Sequence, residues 1–383
     1  MDNLAHTLVG ASLAEAGLKR LTPLATTTLI VAANLPDVDG ACYLVGSDLA
    51  LGFRRGWTHG IVALALWPLV LSALLLVLDR ARRHPDRPPA NPRALLALSV
   101  LGVLSHPALD WLNAYGVRLL MPFDGRWFYG DALFIVDPWV WLLAGSGAVA
   151  GRARTRLAIA GWCLLGLLTT LVVVGSDAPS SGVTLAWLAG VAAIGAARWR
   201  LREPRQVERL ARITLGCAAV YVMAMAAGSR VARAQARAWF DARGFAVSDL
   251  MAGPVQGRPL ARDIVAVTDL GGHPGYAFAT LDWRDPELIR LSDTLVRGGP
   301  TPVTDAALRA PHVQGMRAWL RFPAFTTEAL ATGGFRVSIR DVRYARGRPA
   351  RGRGFAMAEV DLDAQLRPMP LGTPVGRPTS GRP

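Results

Sequence analysis

The chain has 383 residues, of which 52% are hydrophobic and only 18% charged, with a mean hydropathy of +0.29. This balance excludes an ordinary water-soluble protein. The formal charge of +14 invites a nucleic-acid reading, but before residue 229 the excess sits in short loops between apolar segments, where membrane topology explains it; no nucleic-acid partner is expected.

In chain order, apolar periodicity and Pro punctuation predict eight helical segments, at about 3–18, 23–35, 59–78, 94–111, 138–151, 156–175, 183–197 and 212–229. The first two are short for a full span and read as tilted, half-inserted or re-entrant. Several of the others approach the length that about 30 Å of hydrocarbon requires. No cleavable leader is expected after Met1-Asp2-Asn3, and Cys42, Cys163 and Cys217 are too scattered for a disulfide framework. Alternate loops, starting with Lys19 and Arg20, hold sixteen Lys and Arg residues against four in the opposite set. The positive-inside rule therefore puts the N-terminus and everything after residue 229 outside the cytoplasm. Arg230, Arg233 and Arg237 fit that orientation poorly. Trp111, Trp127, Trp139 and Trp141 read as part of an interfacial aromatic belt.

Beyond residue 230 the pattern changes to short alternating runs, with strands expected at Ile264–Thr268, Tyr276–Trp283, Phe335–Val342 and Phe355–Val360, and helices at Asp305–Ala310 and Val313–Arg321. The expected architecture is an all-α membrane helical bundle over 1–229, a small α+β extramembrane domain over 230–365, and a disordered Pro/Gly/Arg-rich tail over 366–383. Arg343, Arg346, Arg348, Arg351 and Arg353 read as a solvated basic loop or a contact for anionic lipid.

Under this topology five successive helices present His or Asp at one membrane face. His6 opens the first helix, Asp37 and Asp39 follow the second, and His59 opens the third. His106 and Asp110 lie near the end of the fourth, and Asp131 and Asp137 precede the fifth. His106 and Asp110 are four residues apart, hence on one helical face. Taken singly, each residue is more often a cap or a satisfied interfacial group. Together, His6, Asp37, Asp39, His59, His106 and Asp110 are expected to ligate one or two divalent cations. A mixed imidazole and carboxylate set suits zinc best, with manganese or iron as alternatives. The chemistry expected is hydrolysis by a cation-activated water, with whichever of Asp37, Asp39 or Asp131 is not a ligand as general base. Arg54 and Arg55 are candidates to clamp a substrate phosphate or carboxylate, with headgroup anchoring as the equal alternative.

The stretches Met1-Asp2-x-x-x-His6, Asn34-Leu35-Pro36-Asp37-Val38-Asp39, Arg55-Gly56-Trp57-Thr58-His59 and His106-Pro107-x-x-Asp110-x-x-Asn113, with Tyr115-Gly116-Val117-Arg118 and Asp131 through Asp137-Pro138, resemble the YdjM-like family of bacterial inner-membrane proteins described as metal-dependent hydrolases. The resemblance covers about residues 1–145. It implies a multi-pass inner-membrane location and a hydrolase acting on an ester of an amphiphilic substrate, with the bilayer and an anionic or lipid-linked molecule as partners. The pattern is also loosely similar to zinc-dependent phospholipase C and single-strand nucleases. Gly60 departs from the small polar residue expected after His59. Competing readings are a transporter, disfavoured by charge-free helix centres, and a membrane anchor with a structural metal.

Overall fold

A computed structural model describes residues 1–176, 180–331, 333–345 and 355–370. Helix α1 (Asn3–Glu15) starts where the Asp2 carboxylate accepts the Ala5 amide at 3.0 Å, an N-cap that satisfies one of the first-turn donors. Helix α2 (Ala25–Asn34) gives way at Pro36 to a 3-10 stretch, Leu35–Leu44, which carries both Asp37 and Asp39. A short α3 (Ser47–Phe53) follows, then α4 (Ile61–Arg82) and α5 (Pro92–Trp111), the latter capped by Asn91. Next come α6 (Pro138–Arg152), α7 (Arg156–Val174), α8 (Ser181–Arg200) and α9 (Pro204–Asp241). Among the described residues α4, α5, α7, α8 and α9 are long and apolar enough to cross a membrane.

Two boundaries differ from the sequence expectation in ways that bear on function. Helix α4 begins at Ile61, so His59 lies in the approach to the helix, held by a turn in which its amide donates to the Gly56 carbonyl. The last apolar segment is not confined to 212–229 but belongs to the 38-residue α9. Past residue 229 its buried stripe, Ala232, Ala236 and Phe240, packs on Leu250, Ile264 and Leu281 of the sheet that follows. The three awkward arginines lie along this extension. Arg233 pairs with Asp249 at 3.2 Å, Arg237 donates to the Val247 carbonyl, and Arg230 is exposed.

Two antiparallel sheets follow. The first runs β1 (Asp249–Val255), β2 (Arg258–Asp269), β3 (Pro274–Asp282) and β4 (Ile289–Val296) in that order; the second is β5 (Pro323–Ala329), β6 (Phe335–Asp341) and β7 (Met357–Leu362). Val265 pairs with Phe278 and Thr326 with Ser338, which fixes the registers. Two short helices, α10 (Pro302–Ala307) and α11 (Gln314–Trp319), connect the sheets. Strands β1, β4 and β5 were not expected from the sequence. Arg343 of the expected basic loop is instead buried against Asp341 at 2.8 Å, because an unpaired guanidinium could not be taken out of water at that depth. Arg346, Arg348, Arg351 and Arg353 lie outside the described residues. So does most of the expected tail; its residues 366–370 are described, and Pro368 bridges to Leu362.

The aromatic-belt expectation also changes. Trp141 is buried and donates to the Asp2 carboxylate at 3.1 Å, and the indole of Trp127 donates to the Ala318 carbonyl at 2.7 Å. These indoles hold protein to protein.

Helices α1, α2 and α5 form the part of the bundle that carries the candidate site. A Cβ on Gly102 of α5 would lie 2.5 Å from the Ala32 Cβ of α2, so the two helices cross at backbone distance only because residue 102 has no side chain. One turn along α5, His106 reaches the Ala33 carbonyl. Replacing Gly102 by Val is therefore expected to cost about 1–3 kcal/mol through overpacking. It should also lower metal content, read as a reduced melting temperature and sub-stoichiometric metal in the purified protein.

Candidate metal centre

His59, His106 and Asp110 are fully buried, and Asp37 nearly so, at one end of the bundle. One atom from each, namely Asp37 Oδ1, His59 Nε2, His106 Nε2 and Asp110 Oδ2, forms a group lying within 4.8 Å. The separations are 3.1 Å between the two imidazole nitrogens, 3.3 and 3.4 Å from Asp110 to His59 and His106, and 3.7 and 3.9 Å from Asp37 to His106 and His59. Ligand atoms around a tetrahedral cation at about 2.0–2.1 Å stand about 3.3–3.4 Å apart. The His59, His106 and Asp110 atoms have the spacing of such a shell and Asp37 stands slightly wider, so the group could hold a metal ion.

Hydrogen bonding around the rings sharpens the point. His106 Nδ1 faces the Ala33 carbonyl at 2.7 Å, and a carbonyl only accepts, so the proton is on Nδ1. His59 Nδ1 lies 2.9 Å from the Thr58 hydroxyl and 3.4 Å from Asp39. That hydroxyl already donates to Asp39 at 2.7 Å, so it accepts from His59 Nδ1. In the neutral rings both Nε2 atoms are then lone pairs, pointing at one another across 3.1 Å in a dry interior. Two such lone pairs repel unless a cation or a proton lies between them. Asp110 Oδ2 lies beside both nitrogens within ion-pair distance yet has no hydrogen bond, so the contact is electrostatic rather than directional. Backbone or carboxylate bonds to Nδ1 are also how protein imidazoles are fixed as metal ligands.

The other expected site residues are distributed around this core. His6 stacks on His106 with ring centroids 3.8 Å apart, its Nε2 3.3 Å from Asp110 Oδ1, and neither of its nitrogens has a hydrogen-bond partner. Asp39 is outside the four-atom group. It accepts from the Arg55 amide, the Thr58 hydroxyl and Arg54, and so orients His59. Burial would raise the Asp39 carboxyl, but His59, Thr58 and Arg54 outweigh it and hold it at about 2. Burial likewise opposes charge on His59, and Asp110 and Asp39 together raise its pKa above the ordinary value. Arg54 bonds both Asp37 and Asp39, at 3.0 and 3.2 Å. Arg55, itself buried, pairs with Asp110 at 3.0 Å and with Asn113 at 2.9 Å. Asp131 forms a two-point ion pair with Arg321 of the sheet region, at 2.8 and 3.0 Å. Asp137 caps α6 and accepts from Tyr221; burial pushes its carboxyl up to about 6.

The sequence reading gave no role to Asn113, Tyr115 or Arg118. Asn113 positions Arg55 and accepts the Tyr115 amide at 2.8 Å, and Arg55 lies 4.6 Å over the Tyr115 ring. The available signal was Asn113 standing three residues after Asp110, just past the end of α5. Gly60 also receives its explanation: a Cβ there would collide with the Met121 carbonyl, so no larger residue fits after His59.

A helical bundle with membrane-length apolar helices and a buried His/Asp cluster that could hold a metal defines the class: a membrane protein with a candidate metal centre. Residues 1–178 match the family model described as YdjM inner membrane protein, and all four clustered residues fall within the match. The resemblance read from the motifs thus extends to about residue 178. The chain is also similar to the uncharacterized protein YfhP of Bacillus subtilis (strain 168), with 26% identity over 152 residues, 37% of this chain and 43% of the relative. The matched part spans less than half of that protein's length. No solved structure matches.

Replacing Asp37, His106 or Asp110 by Ala is expected to abolish stoichiometric metal binding. Asp39→Asn should weaken it about 10–100-fold, as loss of an orienting partner does. Metal titration of the purified variants, with elemental analysis, checks both, and Asp131→Asn should retain full metal. For the metal-free protein the folded Asp39 value lies below the unfolded one. Its stabilising contribution is therefore complete above about pH 4 and lost as the pH falls towards 2, and the acid limb of a denaturation curve should flatten in Asp39→Asn.

Proposed function

We propose that the protein is a metal-dependent hydrolase of the bacterial inner membrane, acting on a phosphoester or other ester of an amphiphilic substrate at the extracytoplasmic surface. The observation that carries this reading is the pair of Nε2 lone pairs facing each other beside two carboxylates. A divalent cation bound there, zinc being best suited to the donor set, would polarise an ester oxygen and acidify a water. The chain's own residues divide the remaining tasks. Asp37, His59, His106 and Asp110 supply the ligand atoms. Asp39 and the Ala33 carbonyl keep both imidazoles in the ligating tautomer. Arg55 offsets the charge of Asp110. Arg54, partly exposed beside Asp37, is the cation available to an incoming phosphoryl or carboxyl oxygen.

His6 is the residue best suited to move a proton. It borders Asp110, is outside the four-atom group, and has both ring nitrogens without hydrogen-bond partners. Asp39 is committed to the Arg55 amide, the Thr58 hydroxyl and Arg54. Asp131 is committed to Arg321. The extracytoplasmic assignment rests on the sixteen-to-four distribution of Lys and Arg among the loops, with the sheet region on the same side as the metal centre.

A structural metal is the second reading, favoured by the nearly complete burial of the four side chains. Assay of the zinc-loaded protein against phosphodiesters and carboxyl esters separates the two. For the hydrolase, His6→Ala should keep its metal and lose about 100-fold or more in kcat, in the range expected for removal of a proton-transfer group. A fully metallated wild type with no turnover on any ester would leave the structural reading standing.

A further inference from the structure

After Asp37 and Asp39 the chain continues through Gly40-Ala41-Cys42-Tyr43-Leu44-Val45-Gly46, seven residues without a charge that run past the end of the 3-10 stretch. Their side chains are not turned inward. Leu44 is 91% exposed and Val45 77%, and Val38 and Tyr43 are close to half exposed. Leu49 on α3, Trp57 ahead of α4 and Phe123 after the Met121-Pro122 turn are exposed as well. In water such a group of large apolar side chains would be an aggregation liability.

These residues adjoin the head of α4. Asp39 accepts from Thr58, the Thr58 carbonyl accepts from the Trp67 indole of α4, and the Ile61 amide donates to the Leu119 carbonyl of the loop that leads to Phe123. Helix α4 is itself a candidate span whose first residues, Ile61 and Val62, are exposed apolar groups. These hydrogen bonds tie the head of a membrane-length apolar helix to the stretch that supplies a metal-ligand carboxylate, and both carry exposed apolar side chains. The connection inward is short: Tyr43 lies under the Arg54 guanidinium at 5.3 Å, and Arg54 bonds Asp37.

We propose that Tyr43, Leu44 and Val45, with Trp57 and Phe123, form a lip immersed in the bilayer, and that the molecule reaching the metal centre enters over it from the lipid phase, as a membrane lipid whose polar group meets Arg54. This rests on the hydrolase reading for what happens to the lipid, but not for the immersion. The lip sets what the site can be offered: acyl chains stay among Leu44, Val45 and neighbouring lipid while an ester oxygen at headgroup depth is presented to Arg54 and Asp37.

Two measurements on the full chain reconstituted in phosphatidylglycerol/phosphatidylethanolamine vesicles test this. First, a nitroxide is placed at Leu44→Cys with Cys42, Cys163 and Cys217 changed to Ser. It should be relaxed more by dissolved oxygen than by a water-soluble nickel chelate, as a lipid-immersed label is; the reverse order, the signature of a label in water, overturns the lip. Second, Leu44→Asp with Val45→Asp should lower turnover of a vesicle-embedded fluorescent phospholipid at least tenfold. Turnover of water-soluble bis(p-nitrophenyl) phosphate should change less than twofold. An equal loss on both substrates, or no loss on either, overturns lateral entry. Wild type inert towards both overturns the hydrolase reading instead, and the lip is then decided by the nitroxide.

Discussion

Two imidazole nitrogens, both lone pairs when the rings are neutral, face each other at 3.1 Å in a fully buried part of the bundle, and much of the surrounding structure holds them there. One ring is fixed by a backbone carbonyl of α2, the other by a threonine hydroxyl and a carboxylate from the neighbouring 3-10 stretch. The close crossing of α2 and α5 at Gly102 sets the distance over which the first bond can form. Without a positive charge between the nitrogens the arrangement is repulsive. The folding of this end of the molecule and its affinity for a cation are therefore one free energy viewed from two sides.

Negative charge is balanced with similar economy. Asp37, Asp39 and Asp110 are all buried or nearly so, and each has a guanidinium or imidazole within 4 Å. Arg54 spans the first two, and Arg55 takes the third while resting on Tyr115. Tyr115 in turn lies against Trp319 of the sheet region, 5.1 Å between centroids, and Arg343 of that region donates to the Ala114 carbonyl. Asp48 of α3 accepts the amides of Gly315 and Met316 at the start of α11. The sheets thus bear directly on the loops that carry Arg54 and Arg55, although the family match ends at residue 178.

Much of this was legible in the sequence because alternating helix direction is a strong constraint. Once apolar segments are counted, His6, Asp37, His59, His106 and Asp110 all fall at one end of the bundle, and the four-residue interval from His106 to Asp110 puts both on one face. The difference in role between Asp37 and Asp39 was not legible. Two residues in a 3-10 turn point in different directions, and which one meets the imidazoles depends on the entry angle after Pro36. The role of Asp131 was hidden for another reason: its partner, Arg321, lies 190 positions away, and local pattern carries no information about such pairs. Helix α9 was cut short because hydropathy falls where the chain leaves its apolar stretch. The small-residue stripe Ser229, Ala232 and Ala236 that carries the helix onward is a packing signal with little apolar weight. Strands β1 and β4 have Gly, Pro or charges where alternation was sought.

The unbroken course of α9 has a mechanical consequence. At about 1.5 Å per residue its 38 residues rise about 57 Å, roughly twice the hydrocarbon thickness. Unbroken between its apolar half and the half that carries β1 and β2, the helix acts as a mast. The sheets ride at a set height and bearing above the bundle, and any lean of the mast is passed to them as a lever passes it. A change at the bundle end of α9 is therefore felt at β1 and β2, which pack on its far end.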